Sequence, residues 1–159
     1  MTKQEFQHSI LPLKDKLFRF ALRLMNNIPE AEDVVQEVFI KLWQQREKLV
    51  EVSNMEAWSV RITRNVSIDK MRARKQTEDV STAVIFKPDT NAKPDELLEQ
   101  SDTMNHIQIM MHQLPEKQRL VMHLRDIEEY SYQEIAESLS IPLNQVKVNL
   151  FRARKYIRE

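Results

Sequence analysis

The sequence predicts an all-α fold made of two small helical domains joined by a flexible linker. Apolar residues recur at spacings of three and four over most of the chain, which is the period of an amphipathic helix. Glycine, which tight β-hairpins and phosphate-binding loops require, is absent from all 159 residues. Between residues 76 and 93 the helical period gives way to Thr, Ser, Asp, Asn and Pro, as in a linker. The predicted domains are therefore residues 1–75 and 94–159.

The first domain is predicted to contain three helices. The second of these opens at Pro29 with acidic residues in its first turn, where they complement the helix dipole. Ser53 and Glu56 form an S-x-x-E capping box that is predicted to start the third helix, which runs to about Arg74. The predicted inward residues of the three helices are Leu13, Leu17, Phe20, Ala21 and Leu24, then Ala31, Val34, Val35, Val38 and Leu42, then Trp58, Ile62 and Val66.

The second domain is predicted to end in a helix-turn-helix. Pro94 and Pro115 each open a helix before it. Ser131 and Glu134 form a second capping box, and Pro142 breaks the chain where the last helix begins. The inward residues of these two last helices are predicted to be Ile135, Ala136 and Leu139, then Val146 and Leu150.

The outer face of the last helix has the chemistry of a DNA-reading surface. It is predicted to present Asn144, Gln145, Lys147, Val148, Phe151 and Arg152. Amide side chains can pair with adenine, and Arg or Lys with guanine or phosphate. In a helix-turn-helix the second helix enters the major groove, so the segment predicts DNA binding. An ordinary helical hairpin with solvated charges is the alternative for this segment taken alone.

The charge distribution supports two contacts with a polyanion. The net charge is zero, but it arises from +4 over residues 1–75, −5 over residues 76–115 and +1 over residues 116–159. Residues 61–75 carry six basic side chains, and residues 147–158 carry five. Two basic clusters far apart in the sequence indicate two separate sites on nucleic acid.

Several functional classes are not expected. The chain has no cysteine, which removes disulfides, thiolate metal sites and Cys nucleophiles and fits a reducing compartment. It has no signal peptide and no long apolar run, so a soluble cytoplasmic protein is expected. No catalytic residue, metal site, cofactor or small-molecule substrate is predicted, because the four histidines match no ligand motif such as H-E-x-x-H. They are His8, His106, His112 and His123.

Three stretches of the chain closely resemble the sigma-70 family of RNA polymerase sigma factors. They are LFRFALRLMNNIPEAEDVVQEVFIKLWQQREKL at residues 17–49, AWSVRITRNVSIDKMR at residues 57–72, and the segment from LPEKQRLVMHLRD to the end at residues 114–159. More narrowly, the chain resembles the short extracytoplasmic-function (ECF) group. The resemblance implies sigma domain 2 at residues 1–75 and sigma domain 4 at residues 94–159. It implies a non-enzymatic initiation factor that directs core RNA polymerase to promoters through their minus-10 and minus-35 elements.

The resemblance also implies partners and site residues. The D-x-x-Q-E motif, here Asp33, Gln36 and Glu37, would dock on the clamp coiled-coil of the largest polymerase subunit, and the flap of the second-largest subunit is a further expected contact. An anti-sigma factor is expected as a regulatory partner. The minus-10 residues would be Arg61, Arg64, Asn65, Asp69 and Arg72, with a flipped-out base held between their helix and the loop at residues 47–54. The minus-35 residues would be Asn144, Gln145, Lys147, Val148, Phe151 and Arg152, with Arg154 near the DNA backbone.

Two departures from the family pattern and two rival functions stay open at this point. Ser140 replaces the Gly that relatives usually carry at the helix-turn-helix corner, and Asn149 replaces an Arg of the recognition helix, which would weaken a phosphate contact there. Trp58, Phe39 and Trp43 are predicted to be core residues. The rivals are a stand-alone helix-turn-helix regulator, which would not explain the first basic helix, and a structural helical adaptor, which would need neither basic face.

Overall fold

The computed structural model describes residues 1–78 and 102–158, and over these ranges the chain is helical with no strand. A 3₁₀ turn at Leu11–Leu13 and a π-helical turn at His123–Ile127 interrupt the α-helices. The α-helices are α1 (Lys3–Ser9), α2 (Lys14–Met25), α3 (Ile28–Gln44), α4 (Arg46–Leu49), α5 (Met55–Glu78), α6 (Asp102–Gln113), α7 (Glu116–Met122), α8 (Tyr132–Leu139) and α9 (Leu143–Arg158). The all-α prediction is confirmed.

The N-terminal half contains more helices than the three predicted. The apolar stripes predicted for α2 and α3 are buried throughout, as expected. The added helix α1 begins with a capping box of Thr2 and Glu5 and buries Phe6 against the core. The added turn α4 lies in the stretch that was predicted to lack helical structure, and it buries Leu49. Each short helix is held by one large apolar side chain rather than by a long stripe.

Helix α5 differs from the prediction at both ends. Its first turn is capped by Asn54 rather than Ser53, because the backbone N–H of Ala57 donates to Asn54 Oδ1 at 3.0 Å. At its other end the helix continues to Glu78, past the predicted domain end at residue 75. Of its three predicted inward residues, Val66 is buried, whereas Trp58 and Ile62 are only partly buried against the core.

The C-terminal half follows the prediction closely around the helix-turn-helix. The capping box of Ser131 and Glu134 is formed, with both reciprocal hydrogen bonds present. Pro115 and Pro142 directly precede α7 and α9. The helix predicted from residue 116 onward instead closes in the π turn, where the Glu128 N–H donates to the His123 carbonyl at 3.1 Å. The predicted start at Pro94 and most of the predicted linker lie outside the described residues.

The two halves pack against each other, which the sequence did not predict. Helix α2 contacts α7 and the π turn, and α5 contacts α8. Apolar residues of both halves belong to one continuous cluster, which reaches from Phe6 in α1 to Leu150 in α9. The helices that carry the predicted functional residues are therefore positioned by packing between the halves as well as within each half.

Candidate nucleic-acid interface and acidic docking face

Helix α9 presents the predicted DNA-reading face to solvent. Val146, Leu150 and Ala153 are buried and hold the helix on α7 and α8. The six residues predicted for the outer face are all exposed: Asn144, Gln145, Lys147, Val148, Phe151 and Arg152. Phe151 is 69% exposed, which is unusual for so large an apolar side chain. The face thus combines amide and cationic groups with apolar groups able to contact a thymine methyl.

The corner before α9 is built around a residue with positive φ. Ser140 ends α8 with φ 55° and ψ 46°, the left-handed conformation that glycine adopts most readily. The backbone N–H of Ile141 donates to the Ala136 carbonyl at 3.1 Å, which closes the helix end. A residue with a Cβ in this conformation costs roughly 1–2 kcal/mol relative to the right-handed one, and packing in the hairpin compensates for it. Ser140 therefore forms the same turn that glycine would form.

The structure corrects the expectation that position 149 lies where it could contact a DNA phosphate. It was taken as the replacement of a phosphate-contacting Arg, but its side chain is buried and its Nδ2 donates to the Gln145 carbonyl at 2.8 Å. The position lies on the inner side of α9, since it neighbours buried Leu150 and follows buried Val146 by three residues. A phosphate contact is consequently not available to residue 149 in this arrangement.

Arg154 is engaged within the protein. Its Nη2 and Nε donate to Asp126 at 2.5 and 3.2 Å, which ties α9 to the π turn. The family resemblance implied that Arg154 lies near the DNA backbone, and in the structure it is partly buried, beside the exposed face rather than on it. This paired guanidinium can stabilise the orientation of α9.

The second basic helix, α5, is partly covered. Asn65, Asp69 and Arg72 are exposed, as a DNA contact requires. Arg61 instead donates from Nη2 and Nε to the Glu137 carbonyl of α8, at 2.6 and 3.2 Å. Arg64 lies with its Nη2 3.8 Å from Glu116 Oε1 in α7. The structure therefore brings all five predicted residues onto one helix but leaves two of them facing the other half of the molecule.

The loop before α5 is also engaged by the C-terminal half. Asn54, which caps α5, donates from Nδ2 to Glu134 Oε2 at 3.3 Å. Glu134 is the same side chain that completes the capping box of α8. The beginnings of α5 and α8 are thus linked by a chain of hydrogen bonds at the place predicted to form one wall of a base pocket.

The acidic face of α3 is accessible. Asp33 and Gln36 are exposed, and Glu37, one turn along, is half-buried with Oε2 3.5 Å from Lys70 Nζ of α5. The spacing of three and four places the three side chains on one face, as predicted for a docking surface. Exposed apolar groups continue this helix, with Ile40 58% exposed.

The prediction of a core position is wrong for Trp43, which is 36% exposed, and Phe39 and Trp58 are only partly buried at the edge of the core. Phe39 is partly buried and packs on the core cluster. Trp43 sits edge-on to Phe6 with ring centroids 5.1 Å apart, and the Arg46 guanidinium covers its ring at 4.3 Å. Trp58 is partly buried beneath Arg61.

A buried group of cationic and imidazole side chains lies between the halves, and the sequence analysis did not identify it. Arg23 of α2 is only 8% exposed, and its Nε donates to His123 Nδ1 at 3.2 Å. Burial, followed by the nearby charge of Arg23, lowers the pKa of His123 to about 4, so the imidazole is neutral at neutral pH. The signal in the sequence was that each residue occupies an inward position, three after Phe20 and three after Leu120.

Neither a metal centre nor a membrane span is found in the described ranges. Over residues 1–78 and 102–158, no group of three or more His, Asp or Glu side chains could hold a metal ion. In the same part of the chain, no helix is both long and apolar enough to cross a membrane.

The chain is similar to known proteins over both halves. Residues 10–77 match the family model for sigma-70 region 2, and residues 106–157 match that for sigma-70 region 4. The ECF RNA polymerase sigma factor SigW of Bacillus subtilis is 31% identical over 156 residues, which cover 92% of this chain and 83% of SigW. The RNA polymerase sigma-H factor of Pseudomonas aeruginosa is 30% identical, with 98% of this chain and 85% of that protein covered.

Solved structures share the fold. The sigma factor RpoE of Bartonella quintana, crystallised with the anti-sigma factor NepR, superposes with a TM-score of 0.78 at 24% identity, covering 98% of this chain and 95% of RpoE. CnrH, solved with the cytosolic domain of CnrY, gives a TM-score of 0.73 at 20% identity over 99% of this chain and 87% of CnrH. The two region matches in this order do not favour a stand-alone helix-turn-helix regulator, which would account for region 4 alone. The chain belongs to the sigma-70 family, and within it to the ECF RNA polymerase sigma factors, which direct transcription initiation at promoters.

Proposed function

We propose that this chain binds core RNA polymerase through the acidic face of α3 and brings it to promoters that α9 and α5 recognise. Helix α9 reads the minus-35 element in the major groove, and α5 binds and holds open the minus-10 element. The observation that carries the proposal is the exposed face of α9, where six side chains suited to groove reading stand above a fully buried inner face.

The roles at the minus-10 element follow from charge and exposure. Arg72 is exposed on α5 and can neutralise phosphates, while exposed Asn65 and Asp69 can hydrogen-bond an unpaired base. Extruding a base costs a few kcal/mol, least once the duplex is unpaired, so a base held here stabilises melted DNA. The protein needs no active site for this step, and the chemistry of RNA synthesis belongs to the polymerase. Its place of action is then the cytoplasm, with the polymerase.

Polymerase docking is assigned to Asp33, Gln36 and Glu37 on the clamp coiled-coil of the largest subunit, with domain 4 on the flap of the second-largest subunit. The carboxylates are accessible, and the exposed Ile40 extends the face with apolar surface. Since RpoE, one of the two solved relatives, was crystallised with the anti-sigma factor NepR, an anti-sigma factor is proposed as a further partner.

Run-off transcription with purified core polymerase on genomic fragments tests the promoter role, since it reports recruitment and returns promoter sequences together. Arg152→Ala is expected to weaken minus-35 binding by about 1–3 kcal/mol, because it removes a direct DNA contact. Lys117→Ala, which removes an exposed cation of α7 away from that face, is the matched control and should leave binding unchanged. Equal transcription by both variants would reject the assignment of α9.

A binding assay with core polymerase tests the docking face separately. The double variant Asp33→Ala, Glu37→Ala should lose core binding while its circular dichroism spectrum stays helical, because both positions lie at the surface of α3. Glu32→Ala removes a neighbouring exposed carboxylate outside the motif and should bind normally. Normal capture of polymerase by the double variant would reject the clamp role.

A further inference from the structure

The packing between the two halves covers part of the proposed promoter-binding surface. Arg61, one of the five minus-10 residues, donates two hydrogen bonds, and both go to the Glu137 carbonyl of α8. Asn54, at the entrance of α5, is held by Glu134 at 3.3 Å. Helix α8 therefore occupies the space beside α5 that single-stranded DNA would need. In this closed arrangement the reading face of α9 is accessible to DNA, whereas part of the DNA-binding face of α5 is covered.

A second set of contacts, on α2, holds the closed arrangement together. Arg19 forms a bidentate pair with Glu128, with Nε to Oε1 at 2.6 Å and Nη2 to Oε2 at 3.0 Å. Arg23 donates to His123 Nδ1 at 3.2 Å, and the ring of His123 also packs near that of Phe20. The side chains of His123 and Glu128 are only 1% and 3% exposed. We call these four residues, Arg19, Arg23, His123 and Glu128, the latch.

We propose that the latch keeps the sigma factor in a self-inhibited closed state, and that protonation of His123 opens it. Arg23 donates to Nδ1, so this nitrogen must carry a lone pair and the ring must be neutral. A proton at Nδ1 would abolish that hydrogen bond and set an imidazolium against a buried guanidinium. The closed state is thereby tied to the deprotonated imidazole. The self-inhibition rests on the proposed function, because covering Arg61 matters only if α5 binds DNA.

The charged groups around His123 favour the neutral ring in the closed state. From α2, Arg23 and Arg19 both disfavour its protonation, and only Glu128 of its own segment favours it. Glu128 Oε1 lies 3.7 Å from His123 Nε2, which is longer than a hydrogen bond, and is already paired with Arg19. Burial and these cations together outweigh the single carboxylate.

The neighbouring helices add no compensating acid. His112 of α6 and Arg119 of α7 line the same side of Arg23, and burial followed by the charges of Arg23 and Arg119 lowers the pKa of His112. Burial raises the pKa of Glu128, but the hydrogen bond from Arg19 and the nearby positive charges, Arg19 first, outweigh burial and leave this pKa below its usual range. Acid therefore weakens the Arg19 pair as well as the Arg23 pair.

The sign of the pH effect follows from linkage. When the halves separate, the imidazole of His123 returns to water and to an ordinary pKa of 6.5, whereas in the closed state its pKa is about 4. The closed state is then fully favoured above the ordinary value and loses stability as the pH falls from 6.5 towards 4. Between pH 7.5 and pH 6.0, the ratio of open to closed molecules should rise about four-fold.

The distance between two spin labels tests this without DNA or polymerase. The chain contains no cysteine, so Lys48→Cys and Lys155→Cys, both at exposed positions of opposite halves, can be labelled cleanly in the full-length protein. At pH 7.5 the distance distribution should be narrow, and at pH 6.0 the open fraction should rise about four-fold. A distribution that is already broad at pH 7.5, or identical at both pH values, would overturn the proposal.

Two variants separate the latch from general stability. Arg19→Ala should raise the open fraction roughly five-fold at pH 7.5, because it leaves the carboxylate of Glu128 without its partner. Lys14→Ala, an exposed cation of the same helix, should leave it unchanged. His123→Gln keeps an acceptor for Arg23 but cannot titrate, so its open fraction should not respond to pH. Because the side chain of Arg19 is itself exposed, its removal leaves no cavity in the core, and Arg19→Ala tests the latch even if the His123 variant fails to fold.

The biological arm uses a forked minus-10 oligonucleotide with the unlabelled protein. Arg19→Ala should bind it roughly five-fold more tightly than the unchanged protein, in step with its open fraction. If the variant opens and still initiates transcription but gains no affinity, self-inhibition is rejected while the proposed function stands. If the pH-dependent opening is seen but the protein initiates at no promoter, the closure of the two halves by the latch stands, whereas the self-inhibition fails together with the proposed function.

Discussion

Helices α5 and α9 are both basic and both were predicted to contact DNA, yet they stand in opposite situations in the folded chain. Helix α9 buries only its inner stripe and leaves its six predicted reading residues in solvent. Helix α5 is packed on α2, α3 and α8, and the guanidinium of Arg61 is bound to a carbonyl of the other half. The difference teaches that a sequence can specify the chemistry of a binding face, whereas packing between distant segments decides whether that face is available.

The largest expected effect concerns the buried side of α9, on which its exposed face depends. Leu150→Ala should lower the free energy of unfolding by about 2–5 kcal/mol, because Leu150 is buried and its removal leaves a cavity against the preceding helices. Urea unfolding followed by circular dichroism measures the change. Val148→Ala, on the exposed face of the same helix, should change stability by less than about 0.5 kcal/mol. Similar losses in both variants would mean that α9 is not anchored by its inner stripe.

The next prediction contrasts the two basic helices directly in the free protein. Arg152→Ala should weaken binding to promoter DNA by about 1–3 kcal/mol, because Arg152 is exposed and ready to bind. Arg61→Ala should weaken it by less than about 0.5 kcal/mol, because Arg61 is already engaged by the Glu137 carbonyl. Fluorescence anisotropy with a labelled promoter fragment distinguishes the two losses.

The same pair of variants should behave differently once polymerase is bound. In the holoenzyme on an opened promoter, α5 must be available, so Arg61→Ala should then cost about 1–3 kcal/mol as well. Equal losses for both variants in the free protein would show that α8 does not restrict α5. The two basic helices would then differ in their sequences but not in their availability to DNA.

Much of each half was predictable because its signals are local. The capping box of Ser131 and Glu134 and the apolar stripe of α2 each depend on residues within a few positions of one another. The start of α5 was misplaced by one residue because Ser53 and Asn54 are both good capping residues and the sequence alone does not choose between them. Helix α1 was not predicted, because it has only seven residues and buries a single apolar side chain, so its capping box at Thr2 has no apolar stripe beside it.

The contacts between the halves were not predictable in this way. Arg19 and Glu128 are 109 residues apart, and Arg23 and His123 are 100 apart, so no local period links them. A charged residue at an inward position was the available hint, since such a group is buried only with a partner. The inner placement of Asn149 carried a similar hint, because it follows Val146 by three residues and precedes Ala153 by four, which places the three on one side of α9.

The smallest expected effect is a change in stability at Ser140, in the turn between α8, which covers part of α5, and the exposed helix α9. Ser140 connects α8, which packs on α5, to α9, and it does so with φ 55°. Ser140→Gly should raise the free energy of unfolding by up to about 1 kcal/mol, because glycine adopts this conformation without a Cβ clash, partly offset by its greater freedom in the unfolded chain. Ser140→Ala keeps the Cβ and should bring no gain. A gain in urea midpoint for the glycine variant alone would assign the strain to the backbone, and equal midpoints would show that packing of α8 against α9 has already relieved it.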